Sequence, residues 1–580
     1  MSLAAFPELN KAIESFNQKN QLGPDPLAAI YSARRKAFSL FSLQLSDADC
    51  ELLRNYVFCY RTQKGKASGI PRSPTDAPIT VHNFLDGEWR APKKNDFATL
   101  QSQADNRIPL IKVPASTQED VEQAVSSGYA YWKSMAWADE ALAYRKQVIK
   151  NFSRLMHYFY EECLDEIRQQ IPKTRLEADK DFWEAKRAAD HLEGNAEVGL
   201  RGELVPEVVP GQTYWRNSYL PAGLAVVVTP MNFIYGIPGI QIVGAYLSGC
   251  PFIFKGHPFS ALTNTTLFRM LLAAGADPRS IQKLEGFGPG VQGLSGDHRV
   301  AVVSVTGSAF TAAAMQEKRG LNRLRFEGGG CNWSWVDDGY SDEDLKRIAV
   351  RLTYSKLGFG SHKCTTLHGV SASPATLKKL LGYIDEEMGN WKVADPRTSS
   401  EDKVVSPLMT HKAQTLIDIV AAAKKAGVQV LREGGRADGE YGAHSEAVKP
   451  ALLAGITPET KVTANWDGKG EQTFPLATTE FFMPILVGME RSFEQFLEFC
   501  LVTNPHDLAT SIWSRDDKKL QRARRIIGGM LKENDGTDSA LEWEEFGASG
   551  IGESGNMGVG EVQATLAIYC RRQKGRHLIF

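Results

Sequence analysis

The sequence predicts an α/β fold, and two observations carry that prediction. The runs Leu224-Ala-Val-Val-Val-Thr229, Pro251-Phe-Ile-Phe-Lys255 and Arg299-Val-Ala-Val-Val-Ser-Val305 are short, continuously apolar and rich in β-branched residues, as strands covered on both faces of a parallel sheet are. Between them, Gly239 to Ser248 and Leu262 to Ala274 have helical spacing. A strand–helix–strand alternation of this kind puts ligands at the carboxyl ends of its strands.

Size and charge narrow the function. A chain of 580 residues, 43% of them hydrophobic, is too long for one ordinary domain and can bury more than one core. Its 67 basic and 68 acidic residues nearly cancel, so no overall field draws it to nucleic acid or an anionic membrane. Small molecules and further copies of the chain are the expected partners. Eight cysteines are scattered without a CxxC pair or a Cys/His spacing suited to zinc, which predicts reduced thiols, no metal site and a cytoplasmic setting. The opening residues lack a basic segment followed by an apolar run, and no stretch approaches the roughly 20 apolar residues of a membrane span.

In chain order, residues 1–75 alternate apolar and charged positions at helical spacing, as in Leu27-Ala-Ala-Ile-Tyr-Ser-Ala-Arg34, and end in the turn-rich Gly69-Ile-Pro-Arg-Ser-Pro74. They are expected to form a helical N-terminal extension. Val81 to Arg90 carries Asp86-Gly87 between strand-like flanks, a hairpin signal. Ser116-Thr-Gln-Glu-Asp-Val121 starts a helical region with amphipathic runs over Tyr144 to Arg168 and Arg175 to His191. Gly211 to Leu220 alternates like a strand that could lie on another subunit's sheet. Helical patterns recur from Asp342, over Pro374 to Gly389, over Lys412 to Gly427 and over Ser492 to Cys500. No low-complexity tract or solenoid repeat interrupts them.

Chemistry gathers at a few points. Cys364, in Phe359-Gly-Ser-His-Lys-Cys-Thr-Thr-Leu-His-Gly369, is a candidate nucleophile, because backbone N–H groups exposed by a Gly-rich bend favour a thiolate. Asn232, in Thr229-Pro-Met-Asn-Phe233, follows a buried strand and could donate to an oxyanion. Glu327, in Phe326-Glu-Gly-Gly-Gly-Cys-Asn332, is a candidate general base. Val305-Thr-Gly-Ser308 ends a strand at a helix start, where free N–H groups meet phosphate. Taken singly, each is a common turn or packing feature.

Their order is not common. Thr-Pro-Met-Asn-Phe, Phe-Lys-Gly-His-Pro, Val-Thr-Gly-Ser, Glu-Gly-Gly-Gly, Gly-Ser-His-Lys-Cys and Glu480-Phe-Phe-Met-Pro484 follow one another as in the aldehyde dehydrogenase superfamily, which the chain resembles from about Val81 onward. The resemblance implies a Rossmann-type cofactor domain over 76–204 and 223–328, an α/β catalytic domain over 329–545, and a bridging β-element of oligomerisation strands over 205–222 and 560–580, in a homodimer or larger homo-oligomer. It implies NAD(P)-dependent oxidation of an aldehyde to a carboxylic acid. Cys364 would attack the aldehyde, Asn232 and the Cys364 N–H would hold the oxyanion, and Glu327 would activate the hydrolytic water. The cofactor, NAD or NADP, would lie against Thr229, Pro230 and Met231, Lys255, His257 and Pro258, Gly307 and Ser308, Gly328, Glu480 and Phe482.

The departures are specific. Pro258 stands where the family's Lys-Pro-Ser-Glu carries its ribose-binding carboxylate, which removes one barrier to NADP and tilts the expectation slightly toward it; a protonated His257 would add to this. Cys331, Ser361, His362 and Met483 replace more usual residues. Lys363-Cys364, the N-terminal extension and Phe546-Gly-Ala-Ser-Gly-Ile-Gly-Glu-Ser-Gly-Asn556 are loosely similar to the branch that oxidises glutamate semialdehyde, which makes that aldehyde one candidate. Trp333, Trp335 and the tail around Trp543 make aromatic aldehydes another. Two alternatives stand beside the hydrolytic enzyme: a coenzyme A-acylating dehydrogenase, against which Glu327 counts, and a catalytically inactive cofactor-binding scaffold.

Overall fold

The computed structural model describes residues 8–28, 44–63, 66–67, 69–201, 204–205, 213–399, 401–409, 412–506, 508–541, 543–547, 553–555 and 557–578. Its first sheet has eight strands, β1 (Gly23–Pro24), β2 (Asn83–Leu85), β3 (Glu88–Arg90), β4 (Leu224–Val228), β5 (Phe252–Lys255), β6 (Ile281–Lys283), β7 (Val300–Thr306) and β8 (Arg323–Glu327), in the spatial order β1-β3-β2-β6-β5-β4-β7-β8. The five strands β4 to β8 pair in parallel. Numbered from β4 they run 3-2-1-4-5, so the chain reverses its direction across the sheet between β4 and β7, and the ligand crevice of such a sheet opens there. The anticipated hairpin forms between β2 and β3, with Asp86 (φ 56°) and Gly87 (φ 76°) both left-handed, as a two-residue turn between twisted strands requires.

Helices α1 (Glu8–Gln18), α2 (Asp47–Val57), α3 (Gln118–Lys133), α4 (Leu142–Tyr158), α5 (Tyr160–Gln170), α6 (Arg175–Leu200), α7 (Gly236–Leu247), α8 (Ala261–Ala274) and α9 (Ala309–Arg319) accompany this sheet. The amphipathic run expected from Tyr144 to Arg168 is two helices, not one. Wholly buried Phe159 leaves the helical region (φ −102°, ψ 26°) and sets its ring edge-on against Phe58 at 5.2 Å.

Where described, the first 75 residues are helical in α1, α2 and the short turn Cys59–Arg61, but the expected helical extension also carries strand: Gly23–Pro24 joins the first sheet and Thr62–Gln63 pairs with Lys66–Ala67; the rest of the run from Leu27 to Arg34 lies mostly outside the described residues. They are built into the first core: Leu9, Ile13, Phe16, Leu53 and Tyr56 pack with residues of α4 and α8. Arg269 of α8 is buried here, its guanidinium 4.3 Å from the Trp89 ring centre and its Nη1 donating to the Tyr56 carbonyl at 3.0 Å. Asp25 accepts from Tyr56 Oη at 2.5 Å and Trp89 Nε1 at 3.0 Å.

The second sheet has seven strands, β9 (Asn332–Val336), β10 (Leu367–Ala372), β11 (Gln429–Arg436), β12 (Val448–Ala454), β13 (Ile485–Glu490), β14 (Ala509–Trp513) and β15 (Met530–Glu533), in the order β11-β12-β13-β10-β9-β14-β15 with only β11 antiparallel. Helix α10 (Asp342–Leu357) leads from β9 toward β10. A third sheet pairs Thr213–Pro221 antiparallel with Cys570–Leu578 on one side and Leu204–Val205 on the other. The strand expected over 560–580 begins instead as a helix, Val562–Ile568, because Glu561 caps it by accepting from the Ala564 N–H at 2.6 Å.

Candidate active site

The chain passes from the carboxyl end of β8 to the amino end of β9 within Gly328 to Cys331, so the carboxyl edge of the first sheet joins the amino edge of the second. Cys364 stands just before β10, Glu480 and Phe482 just before β13, and Asn232 just after β4. Sequence reading brought Cys364, Glu327 and Glu480 to one place, and the structure puts the charges of Glu327 and Glu480 on the Cys364 thiol.

The nucleophile is presented by a strained bend. Phe359 (φ 59°), Gly360 (φ 60°) and Ser361 (φ 65°) are left-handed in succession, a conformation that costs a bulky residue such as Phe about 1–3 kcal/mol. Neighbours hold it there. The Phe359 N–H donates to Glu177 Oε1 at 2.5 Å, and its ring stacks on Phe233 at 5.0 Å. Beyond the bend, Lys363 Nζ meets Asp538 Oδ2 at 2.5 Å, and Thr537 Oγ1 donates to the Thr365 carbonyl at 2.7 Å. Asn332 Nδ2 donates to the Cys364 carbonyl at 2.7 Å. Cys364 is therefore gripped on both sides.

The Asn232 turn is held by Lys173, just before α6, and by Asp181 within it. Lys173 Nζ donates to the Asn232 carbonyl at 2.7 Å and pairs with Asp181 at 2.9 Å. Asp181 accepts the N–H groups of Ile234, Tyr235 and Gly236 at 3.1, 3.1 and 2.9 Å, which satisfies the amino end of α7. The Lys173 ammonium lies 4.6 Å from the Phe233 ring centre and 5.2 Å from that of Phe359, so one cation ties the Asn232 turn to the Cys364 bend. The Asn232 side-chain amide makes no hydrogen bond among the described residues, and its donor is uncommitted.

Protons are held tightly at this site. Burial, then the charges of Glu327, Glu480 and Glu184, push the Cys364 thiol up, so the bend does not favour a resting thiolate as its glycines had led us to expect. It follows the carboxyl end of α10, whose dipole opposes negative charge, and it leads into a strand. Burial likewise holds the Glu327 carboxyl well above the usual carboxylate range, against the opposing pull of the Met557 backbone, and no side chain among the described residues bonds to it. Glu480 is raised to about 7 by burial. Lys356 of α10, 1% exposed and lowered to about 7 by burial, faces Cys331 and Glu480 from beneath the bend.

Glu327 is itself pinned from the far end of the chain. It bridges Gly555 in strand-like fashion, the Gly328 N–H donates to the Ser554 carbonyl at 2.8 Å, and Ser554 Oγ donates to the Gly329 carbonyl at 2.6 Å. This part of the late Ser/Gly loop supports the turn after β8; residues 548–552 and 556 of that loop lie outside the described residues.

Orphaned polar atoms test whether a dinucleotide suits this edge. Thr229 Oγ1 and Glu480 Oε1 are buried without a partner among the described residues, groups that a ribose or a pyrophosphate linkage would satisfy. At Gly329 a Cβ would stand 2.1 Å from the Glu480 carboxylate, so the bare backbone there lets that carboxylate into the crevice. Gly307 has open space above it, and exposed Ser308 caps α9, leaving the amino end of that helix to receive phosphate. Met231 is buried and Pro230 half-buried beside Asn232, and Phe482, left-handed at φ 53°, turns its ring toward His362 at 5.4 Å. The residues fit. Lys255, lowered to about 8 by burial against the opposing pull of Glu285, donates to the Gly256 carbonyl at 2.9 Å.

Other expectations change. His257 is no cation: burial and then Lys255 lower it to about 3, and its Nδ1 accepts from the Phe259 N–H at 3.2 Å as a helical cap over Pro258. Trp333 and Trp335 do not line a substrate pocket; both are buried along β9, donating to the carbonyls of Ala477 and Arg491. Trp543 is 44% exposed. Cys331 is sealed in the core with its thiol pushed up by burial, and Met483 is equally buried. All eight cysteines are free thiols, and among the described residues no group of three His, Cys, Asp or Glu is placed to hold a metal. No described helix is long and apolar enough to cross a membrane. Sequence reading missed Lys173, Asp181, Lys356 and Asp538; Lys173-Thr-Arg-Leu-Glu-Ala-Asp-Lys-Asp181 and Lys532-Glu-Asn-Asp-Gly-Thr-Asp538 are charged and polar stretches that give no sign of which charge is buried.

Known proteins are similar to this chain in sequence and in fold. The chain is 22% identical over 440 residues, 75% of its length and 79% of the relative's, to a probable methylmalonate-semialdehyde/malonate-semialdehyde dehydrogenase [acylating] of Anopheles gambiae. It is 23% identical over 494 residues, 82% of its length and 92% of the relative's, to an NADP-dependent glyceraldehyde-3-phosphate dehydrogenase of Triticum aestivum. A solved structure of an indole-3-acetaldehyde dehydrogenase of P. syringae, a mutant in complex with NAD+ and IAA, superposes with a TM-score of 0.78 at 20% identity, covering 87% of this chain and 98% of that one. The sequence model of the aldehyde dehydrogenase family matches residues 89–574, and with that match the chain belongs to the aldehyde dehydrogenase family.

Proposed function

We propose that this enzyme, an oxidoreductase acting on aldehydes with NAD or NADP, releases its product as a carboxylic acid by hydrolysis of a Cys364 thioester. One observation carries the reading: Glu327 places a buried carboxyl group, with no side-chain hydrogen-bond partner among the described residues, where its charge bears on the candidate nucleophile. In its ionised form Glu327 takes the thiol proton, and Cys364 Sγ adds to the aldehyde carbon. The oxygen that gains the electron pair is held by the Asn232 amide and the Cys364 N–H. Thr229, Lys255, the amino end of α9, Glu480 and Phe482 would hold NAD or NADP, which when bound would supply the acceptor for the hydride that the Cys364-bound carbon loses in becoming a thioester. Glu327 passes the thiol proton to solvent and then removes a proton from water as the water oxygen adds to the thioester carbon; the C–S bond breaks, Glu327 returns that proton to Sγ, and the acid leaves with the thiol restored.

Glu327→Gln interrupts both halves of this cycle. The variant is expected to lose about 10²–10³-fold in steady-state rate, with no burst of reduced nicotinamide ahead of it. Stopped-flow absorbance at 340 nm with a panel of aldehydes, including carboxylate-bearing semialdehydes, reads both. A steady state as fast as in the wild type refutes the role of Glu327. The acylating relative from Anopheles gambiae favours a second outcome, thioester transfer to coenzyme A, and turnover that requires added coenzyme A would establish it.

The pH profile has a predictable sign. Cys364 and Glu327 both bind their protons more tightly than usual, and the pair must shed one before attack. Thus kcat/KM is expected to climb by up to about tenfold per pH unit over the neutral range and level off in alkali. A profile that falls as pH rises from 6 to 8 contradicts this.

The outer edge of Cys570–Leu578 carries no further strand among the described residues, which suits pairing with a second copy. The enzyme is then a homodimer or larger, and a monomeric mass by light scattering would remove this proposal.

A further inference from the structure

Residues that the reaction above leaves unused gather at the carboxyl ends of β5 and β6. Glu285, just past β6, is fully buried. Its Oε1 accepts from Lys283 Nζ at 2.8 Å and lies 3.5 Å from Asn264 Nδ2, while its Oε2 has no partner among the described residues. Asn264 Oδ1, equally buried, also lacks a partner among them. The Glu285 N–H donates to Asn83 Oδ1 at 2.9 Å, which fixes the residue against the hairpin strand β2. The Asn264 amide rests on the bare backbone of Gly256, where a Cβ would come within 2.1 Å of it. Opposite stands Lys255, whose ammonium feels the Glu285 charge. A carboxylate oxygen and an amide oxygen, both without donors, mark a place built for a molecule that brings hydroxyl hydrogens.

The topology says which molecule. In a parallel sheet of this order the adenosine half of a dinucleotide lies over the first three strands, and an acid beyond the second strand takes the ribose hydroxyls. Here the second strand, β5, ends in Lys255-Gly-His-Pro258, which has no acid, and the neighbouring strand provides one in Glu285. We propose that Glu285 accepts the adenosine-ribose hydroxyls of the cofactor and thereby makes this enzyme selective for NAD over NADP. The proposal rests on the reading of the chain as an NAD(P)-dependent dehydrogenase. A 2′-phosphate would meet the Glu285 carboxylate in a buried setting where like charges repel strongly. Of the cations at hand, Lys283 is engaged by Glu285 and by the His82 carbonyl at 3.1 Å, and His257 is neutral. Lys255 alone does not offset a phosphate beside a carboxylate.

Calorimetric titration of the full chain with ADP-ribose and with its 2′-phosphorylated form tests this without turnover. The wild type is expected to bind ADP-ribose at least about tenfold more tightly. Glu285→Gln keeps an acceptor for Lys283 but removes the charge, and should bring the two ligands within about threefold of each other. Glu285→Asp keeps the charge and draws it back, so it should weaken ADP-ribose by about fivefold while preserving discrimination. A wild type that prefers the phosphorylated ligand, or a preference unchanged in Glu285→Gln, overturns the proposal, and the first of these needs no variant to fold. Binding of both ligands indifferent to residue 285 sinks this inference alone; failure of the wild type to bind either sinks the dehydrogenase reading with it.

Discussion

Cys364→Ala is expected to lower kcat by about 10⁴-fold or more while leaving the affinity for NAD or NADP within about threefold of the wild type. The reason is local. Asn332, Thr537 and Lys363 grip the backbone and the neighbours of Cys364, so removing Sγ leaves the bend in place, and every residue assigned to the cofactor lies on other segments. What disappears is the covalent bond that holds the aldehyde carbon still. Reduced nicotinamide formation at 340 nm, beside calorimetric cofactor binding, checks both halves of the statement. Residual turnover above about one per cent of the wild type would mean that another group carries the attack.

Lys173→Met tests the cation that joins the two catalytic turns. Lys173 and Asp181 are 1% and 0% exposed at their side chains, and the ion pair is surrounded by protein. Methionine fills most of the volume but leaves Asp181 buried without its cation, a change that costs about 3–5 kcal/mol. It also withdraws the donor from the Asn232 carbonyl and the charge between Phe233 and Phe359. The half-life at a fixed elevated temperature should shorten markedly, since a large chain loses activity through irreversible unfolding. At a permissive temperature kcat should fall with little change in cofactor affinity. A variant as long-lived as the wild type would show that the pair is not needed to hold the turns.

The sequence made the strand runs legible because both faces of β4, β5 and β7 are buried, and continuous apolarity is the mark of such strands. Cys364, Glu327 and Asn232 could be named because strand ends carry them and their order is preserved. Lys173, Asp181 and Asp538 could not, since each acts on a residue far away in the chain: Asp181 on Tyr235, Asp538 on Lys363. Glu285 was hidden in the same way, visible only when β6 lay beside β5. The break at Phe159 escaped because the residues on either side keep helical periodicity, and only tertiary packing of the ring reveals it. Trp333 and Trp335 misled by composition, because an aromatic pair one residue apart on a strand buried on both faces is core.

The bridge between Glu327 and Gly555 bears on how the enzyme is made. A ribosome adding about 5–20 residues per second needs roughly half a minute to two minutes for a chain of 580 residues. For roughly the last third of that time Cys364 has already been polymerised, yet the segment that closes the turn of its base has not. The nascent chain thus carries its thiol without an assembled proton acceptor, and stray aldehydes meet a poor nucleophile until translation is nearly over.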